Sequence, residues 1–539
     1  MTLPQALYTA AQVREFDQRA IAAGIPGFEL MRRAAQVSLN AIVQRWPDTG
    51  RLVIFAGRGN NGGDGFLLAA LAREQGLKAL VFHCGIPDAA KEDANKALRL
   101  AQARGAALRE FEAASVHELL AETPAAGTVL VDALLGTGSR GVLTPTIRQA
   151  IECINGAGLP VAALDLPSGL SSDSGDVSEA GDAVCAHLTI TFIALKQGLF
   201  TGRGPALCGD LIFHDLGLED LSVQPVTTNT LRADIKTTGT LFKRRPRDAH
   251  KGDFGNVIVI GGDTGLGGAA LMSAEAAVCS GAGTVCLLTR PEHVTAALCR
   301  RPEIMVRGVQ SVKAEVQSLQ ALFLRADVIV IGPGLGKSGW SREMLQLALQ
   351  YGNKNRPVVM DADALNLLAE RAGERAEERA GEKTGGTGAE QAGLRREHWV
   401  LTPHPGEAAR LLNASVMDIQ ADRFAAVRSL QHDFGGCCVL KGAGSLLAFV
   451  DGETLQIRVC TEGNPGMASG GMGDVLSGII GALLAQFLPL GYSPGQITAA
   501  AVCVHGECAD LAVQDGGRQT ERGLLATALL PLIRTVINR

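Results

Sequence analysis

The sequence predicts an α/β protein of two successive domains, each a mainly parallel sheet with helices on both faces. Three observations predict it. The chain has 539 residues, too many for one ordinary hydrophobic core. Hydrophobic residues make up 46%, charged residues 19% and aromatics 4%, with 66 glycines, a composition suited to buried sheet layers whose loops approach ligands closely. Short continuous apolar runs recur, each followed by a Gly-rich loop and a helical stretch, as in strands buried on both faces.

In the first half the strand-like runs are Leu52–Ala56, Leu80–His83, Thr128–Leu135, Val161–Leu166, Leu188–Ala194 and Leu211–Asp215. In the second half they are Asn256–Gly261, Thr284–Thr289, Val328–Gly332, Pro357–Asp361, Trp399–Thr402 and Cys438–Lys441. The polar, Thr-rich stretch Leu221–Thr240 and the basic run Lys243–Arg247 mark a boundary between domains expected over 1–225 and 236–539. No repeat links the halves, so two different α/β domains are expected. Residues 369–396 carry Glu, Arg, Ala and Gly with almost no other apolar residue. Such a segment cannot bury enough surface to offset its ordering entropy, and a flexible surface insert is expected.

The net charge of −5 gives no electrostatic reason to expect nucleic acid. The start of the chain lacks the basic and apolar regions of a signal peptide. The apolar run Val475–Leu490 is broken by Gly, Ser and Gln and reads as a buried helix, not a membrane span. Twelve cysteines without zinc-like spacing read as thiols in a reducing cytoplasm. A cytoplasmic homo-oligomer that binds neither nucleic acid nor membrane is the expectation.

Gly470, Gly471 and Gly473 lead into Asp474 and an apolar helix-like run. Glycines ahead of a helix let backbone N–H groups converge, and the helix N-terminus adds partial positive charge. An aspartate at the lip of such an anion hole can orient or deprotonate a hydroxyl facing a phosphoryl group. The plainer reading is a glycine-capped loop before a core helix. In the same half, Gly332-Pro333-Gly334-Leu335-Gly336-Lys337-Ser338 is not a Walker A motif, because Ile331 stands where its first Gly belongs. It reads as a strand-end loop near the substrate. Asp361 and Asp363 end another strand, where they could help hold hydrated Mg²⁺. His404, between Pro403 and Pro405, reads as a ring free to point at a substrate. Lys441–Ser445 follows a strand with small residues that let a nucleotide approach the backbone.

In the first half, Gly57, Gly59 and Gly62 satisfy G-x-G-x-x-G between a strand and a helix, as in a dinucleotide site. The ribose-binding acid is missing, because the next strand ends His83-Cys84-Gly85. Asn60, Asn61 and Asp64 in the loop suit a cation or polyol instead. Asn61, Asp132 and Ser168 lie in polar, Gly-flanked strand-end loops that can meet at one sheet edge.

The first half resembles the YjeF N-terminal family, the NAD(P)H-hydrate epimerases. The likeness covers roughly residues 1–220 and lies in Asn60–Gly65, Asp132–Gly138 and Asp165–Gly169. It implies that Asn60, Asn61, Gly62, Gly63 and Asp64, with Gly136, Thr137, Gly138, Ser139, Arg140, Gly141, Val142 and Asp165, hold the hydrated nicotinamide nucleotide. It implies a K⁺ ion on Asn61, Asp132 and Ser168, and it includes Lys196. Asp165 is the expected acid/base group.

From about His250 onward the chain resembles the ribokinase-like ADP-dependent NAD(P)H-hydrate dehydratases, in Lys251–Asn256, Thr402–Glu407 and Asn464–Asp474. One loop departs from that family, with Leu266-Gly267 in place of an aromatic and Thr. The resemblance implies that Ala269, Gly336, His404 and Asp474 contact the hydrate. It also implies that Lys441, Gly442, Ala443, Gly444, Ser445 and Gly473 contact ADP, with Mg²⁺. The expected fold is thus a Rossmann-like three-layer domain followed by a ribokinase-like three-layer α/β domain. The expected function is repair of NADHX and NADPHX. R and S hydrates are epimerised, and the S form is dehydrated at the expense of ADP, through phosphorylation of its C6 hydroxyl, which Asp474 activates, and loss of phosphate. The alternative is a ribokinase-like small-molecule kinase with a non-catalytic nucleotide-binding first domain.

Overall fold

The computed structural model describes residues 3–139, 141–179, 181–218, 226–380, 394–515 and 518–539. The chain forms two compact units, Met1–Thr230 and Leu231–Arg539.

The first unit holds a seven-stranded sheet in the order β3-β2-β1-β4-β5-β6-β7. Its strands are β1 Arg51–Ala56, β2 Lys78–His83, β3 Ala107–Glu110, β4 Thr128–Ala133, β5 Val161–Leu164, β6 Leu188–Phe192 and β7 Asp210–His214. Every pairing is parallel. Alternate residues of one strand feed opposite cores. Leu52 and Ile54 join one buried cluster, while Val53 and Phe55 join the other. Strand order reverses between β1 and β4, which opens a crevice at their carboxyl ends.

Two expectations change here. The edge strand β3, mostly exposed, escaped prediction because Ala-Leu-Arg-Glu carries no buried run. The glycine loop is shorter than predicted, because the helix begins at Asn60 and runs to Glu74. Gly62 stands inside it by packing necessity: a Cβ there would lie 1.9 Å from the Gly57 carbonyl oxygen.

The second unit is built on a ten-stranded sheet, ordered β11-β10-β9-β12-β13-β14-β15-β16-β17-β8. Its strands are β8 Thr230–Ala233, β9 Asn256–Ile260, β10 Thr284–Thr289, β11 Met305–Gly308, β12 Val328–Ile331, β13 Val358–Met360, β14 Trp399–Leu401, β15 Cys437–Leu440, β16 Leu446–Asp451 and β17 Thr454–Cys460. The pairings from β11 across to β15 are parallel. The pairings β15–β16 and β16–β17 are antiparallel. The sheet therefore begins with β8, inside the stretch read as a boundary, and not at Asn256. β8, β11 and β17 escaped prediction because Thr, Arg and Gln residues break the apolar run, whereas β16 carries a buried apolar run, Leu446–Phe449, missing from the predicted strands.

The helix Met472–Phe487 runs through the core of this unit. Its length and hydropathy would allow a membrane crossing, but most of it is buried in the unit. Gly478 brings it against the helix Gly267–Cys279, where a Cβ would lie 2.0 Å from the Ser273 carbonyl oxygen. The predicted insert divides. Residues 369–380 complete the helix Ala362–Ala380, consistent with the helix propensity of Ala, Glu and Arg. Residues 381–393 lie outside the described residues.

Candidate active sites

In the first unit the polar loops converge at the carboxyl edge of the sheet. Asp132, at the end of β4, is fully buried. One of its oxygens accepts from the Ser168 hydroxyl (2.6 Å) and the other from the Ser168 N–H (2.7 Å). It also accepts from the Leu134 N–H, which ends the strand two residues before the predicted limit. Burial pushes its carboxyl up to about 6, against the pull of these hydrogen bonds. The Asn61 amide donates to the Leu135 carbonyl at 2.9 Å. Its Oδ1 is buried without a hydrogen-bond partner. A buried acceptor of this kind calls for a donor or a cation. The donor set of an amide oxygen, a carboxylate and a hydroxyl suits a weakly hydrated monovalent ion.

Beside this lies a cleft of about 960 Å³, lined by Asn60, Asn61, Asp64, Gly136–Ser139, Asp165 and Lys196 among others. Gly141 and Val142 line a neighbouring cleft of about 500 Å³, which shares Gly136, Thr137 and Ser139. Arg140 lies outside the described residues. Gly62 and Gly63 are buried in the helix, so they shape the wall through backbone packing.

Asp165 adopts φ = 69°, a left-handed conformation rare for a residue with a side chain. Its partners fix it there. Lys196 Nζ lies 2.5 Å from Oδ1, and the Thr137 N–H and hydroxyl donate to Oδ2 at 2.7 and 2.6 Å. Burial would raise this carboxyl, but Lys196 and Thr137 outweigh it and hold it below the usual carboxylate range. Asp165 thus rests as an anion. Two other carboxyls behave oppositely. Burial, then the charge on Asp165, pushes Asp64 well up. Burial pushes Asp17 up to about 6, with Asp165 adding to the rise and Lys196 opposing it.

The second unit gathers its polar residues where β13, β14 and β15 end. Lys441 Nζ lies 2.6 Å from Asp361 Oδ1, which also accepts from the Thr402 hydroxyl at 2.9 Å. Glu407 is 3.9 Å from the same ammonium, and burial pushes it up to about 7. Asp474 stands in the first turn of the helix Met472–Phe487. Burial first, then Asp361, pushes its carboxyl up to about 7, with Lys441 opposing. Gly473 rides over the ion pair, and a Cβ there would lie 3.0 Å from Lys441 Nζ and 3.1 Å from Asp361 Oδ2.

Three predicted roles change. His404 is not a free ring: its Nδ1 accepts from the Gly406 and Glu407 N–H groups and caps the helix Pro405–Leu412. Its Nε2 lies 3.3 Å from Glu407 and remains half-exposed. Lys441 extends toward Asp361, and Gly442–Ser445 forms the loop that follows it. Within it, the Ser445 hydroxyl donates to the Gly442 carbonyl at 3.0 Å. Asp361 and Asp363 do not form a ready magnesium cage, because Lys441 and Thr402 hold the first. The Gly336 N–H (2.9 Å) and the Asn366 amide (3.3 Å) hold the second. Ala269 is half-buried at the start of the helix Gly267–Cys279, packed beside Gly334.

Models of two protein families match the chain. One, described as YjeF-related protein N-terminus, covers residues 27–198. The other, described as NAD(P)H-hydrate dehydratase, covers residues 257–531. A curated relative from Coxiella burnetii, bifunctional NAD(P)H-hydrate repair enzyme Nnr, is 44% identical over 99% of this chain and 99% of its own. The chain belongs to the bifunctional NAD(P)H-hydrate repair enzymes.

The Escherichia coli K12 repair enzyme of the same name is 38% identical over 100% of this chain and 95% of its own. A solved structure of a Bacillus subtilis ADP/ATP-dependent NAD(P)H-hydrate dehydratase, co-crystallised with ATP and Mg²⁺, is 24% identical. It covers 57% of this chain and 96% of its own, with a TM-score of 0.44. As a repair enzyme the chain combines an isomerase with a lyase, acting on NAD(P)H hydrate. Relatives that share both halves displace the small-molecule kinase alternative. Sequence reasoning missed Asp17, Thr402 and the ionic role of Glu407. Asp17 sits in an ordinary amphipathic helix, Ala10–Ala22, with no motif around it.

Proposed function

We propose that the first unit epimerises the R and S hydrates and the second dehydrates the S form at the expense of ADP. The observation that carries this reading is Asp474: a buried carboxyl near 7, one turn into a helix N-terminus, beside the Lys441–Asp361 pair. A base with that pKa is matched to a hydroxyl proton at neutral pH. Asp474 takes the C6 hydroxyl proton as that oxygen attacks the terminal phosphoryl group. The first-turn amides and Lys441 face the charge that develops there. The P–O bond to AMP breaks as the phosphate ester forms; the ring nitrogen lone pair then expels phosphate from C6, and loss of a C5 proton restores the double bond of NAD(P)H. Ala269, Gly336 and His404 border the hydrate, and Gly442–Ser445 with Gly473 border the nucleotide. Mg²⁺, when bound, would supply counter-charge to the diphosphate, with Asp361 and Asp363 already held by Lys441, Thr402, Gly336 and Asn366.

In the first unit, Asn60–Asp64, Gly136–Val142 and Asp165 hold the hydrate. A potassium ion fits Asn61, Asp132 and Ser168, and the orphan Asn61 oxygen supports it. When bound, it supplies positive charge beside Asp132 and stiffens the loops that carry Thr137 and Ser168. Twelve free thiols support a cytoplasmic enzyme.

The test is recovery of nicotinamide absorbance from mixed R and S NADHX with ADP and Mg²⁺, for wild type, Asp474→Ala and Asp132→Ala. Wild type should recover both epimers. Asp474→Ala should recover neither, and Asp132→Ala only the S fraction. No recovery by wild type with ADP or ATP would sink the reading.

A further inference from the structure

Epimerisation at C6 needs an acid as well as a base. The C6–O bond breaks with its electron pair going to oxygen, so the departing hydroxyl must gain a proton to leave as water. The N1 lone pair closes a C6=N1 bond. Water then re-adds to the other face, and its proton must go to a base. Asp165 rests as a carboxylate, so in the forward direction it is the base and the proton donor must be another group. Both of its oxygens are occupied, one by Lys196 at 2.5 Å and the other by two donors from Thr137.

Two further carboxyls line the same cleft, Asp64 and Asp17. Lys196 is committed to Asp165 and Arg58 to Asp88, while Arg14 and Lys91 also bring positive charge to the cleft that Asp64 and Asp17 line. Asp64 lies inside the loop that resembles the substrate-binding segment. Asp17 comes from the helix Ala10–Ala22, which contributes nothing to the motif loops and lies before the matched residues 27–198. Arg14, on the preceding turn of that helix, also lines the cleft.

We propose that Asp17 is a further catalytic residue of the epimerase, donating the proton that releases the C6 hydroxyl as water. Asp165 accepts the proton of the water that re-adds. The carboxyl of Asp64, which feels both Asp17 and Asp165, returns it. The reverse epimerisation runs from the swapped protonation state, so no proton is gained or lost overall. The position of Asp17 near pH 6 agrees with a proton shared at this site. The proposal rests on assigning epimerisation to the first unit.

The test uses the full chain as wild type, Asp17→Asn and Asp17→Glu. Three quantities are read: R-epimer consumption, ADP-dependent dehydration of pure S epimer, and affinity for R-NADHX. Exchange of the C6 oxygen with heavy-oxygen water, without ADP, is followed in parallel. Asp17→Asn should lose epimerisation and oxygen exchange by ~100-fold or more. Its S-epimer dehydration should stay within about twofold and its R-NADHX affinity near wild type, while Asp17→Glu regains part of the rate. Near-wild-type epimerisation in Asp17→Asn would overturn the proposal. So would loss of R-NADHX binding in Asp17→Asn with no recovery in Asp17→Glu. Epimerisation absent from wild type would instead overturn the assignment on which the proposal rests.

Discussion

The two units solve one electrostatic problem in two ways. Each sets a lysine against an aspartate at the carboxyl edge of a parallel sheet: Lys196 with Asp165 at 2.5 Å, and Lys441 with Asp361 at 2.6 Å. Each surrounds that pair with carboxyls pushed upward by burial, to about 6 at Asp17 and about 7 at Asp474. The difference lies in which aspartate is held. In the first unit the lysine fixes an aspartate that itself lines the cleft, beside two further carboxyls. In the second the lysine fixes an aspartate beneath the site, and the unpaired Asp474 stands on a helix N-terminus. That placement adds an anion site to an acid/base cluster. In the proposed function the same kind of ion pair serves epimerisation in one setting and phosphoryl chemistry in the other.

Removing each lysine tests this contrast most severely. Lys196→Met strands Asp165 without its ionic partner, and breaking such a buried pair costs ~3–5 kcal/mol. The first unit should unfold at a visibly lower temperature while S-epimer dehydration survives at moderate temperature. Lys441→Met should abolish dehydration and leave epimerisation intact. If both substitutions damaged both activities equally, the two pairs would not have separate roles.

A smaller change sharpens the account of the second site. Gly473→Ala drives a methyl toward Lys441 Nζ and Asp361 Oδ2, 3.0 and 3.1 Å away. Displacement of the pair should cost ~10- to 100-fold in dehydration kcat, with epimerisation unchanged. A kinetically silent Gly473→Ala would show that the pair does not position the helix start.

The mildest test is pH. Asp474 must be unprotonated to accept a proton, so dehydration should fall as pH drops through about 7. The loss should approach tenfold about one unit below that pKa. Epimerisation, measured without ADP, should not share that limb. A common limb for both reactions would assign it to something other than Asp474.

Much of the fold was legible because parallel strands buried on both faces leave continuous apolar runs. β1, β4, β9 and β12 announce themselves in this way. β3, β8, β11 and β17 do not, since strands that carry polar residues on a half-buried or exposed face obey no such rule; β16 does, in Leu446–Phe449. The glycine-bearing turns at Asp165–Gly169 and Gly470–Gly471 were also legible, because close backbone approach demands specific residues, whereas Asn60–Asp64, read as a loop, opens the helix Asn60–Glu74. Asp17 was not legible, because nothing around it in the chain differs from any amphipathic helix. His404 was misread for a related reason: its flanking prolines announce a fixed loop, but whether the ring points outward or caps the next helix depends on two N–H groups three-dimensionally in reach.

The sequence by itself determined the two α/β halves, the loops of small residues at the sheet edges, and the chemistry available there. Local backbone constraints and hydrophobic periodicity are written residue by residue, so they can be read that way. Tertiary structure alone decided which charges meet. Asp165 and Lys196 are separated by a strand, and Asp361 and Lys441 by 80 residues. Whether a carboxyl is a base near 7, a shared acid or a fixed anion depends on burial and on the sign of its nearest neighbour. Both are set by packing, because desolvation and Coulomb energy depend on distance in space and not on position along the chain.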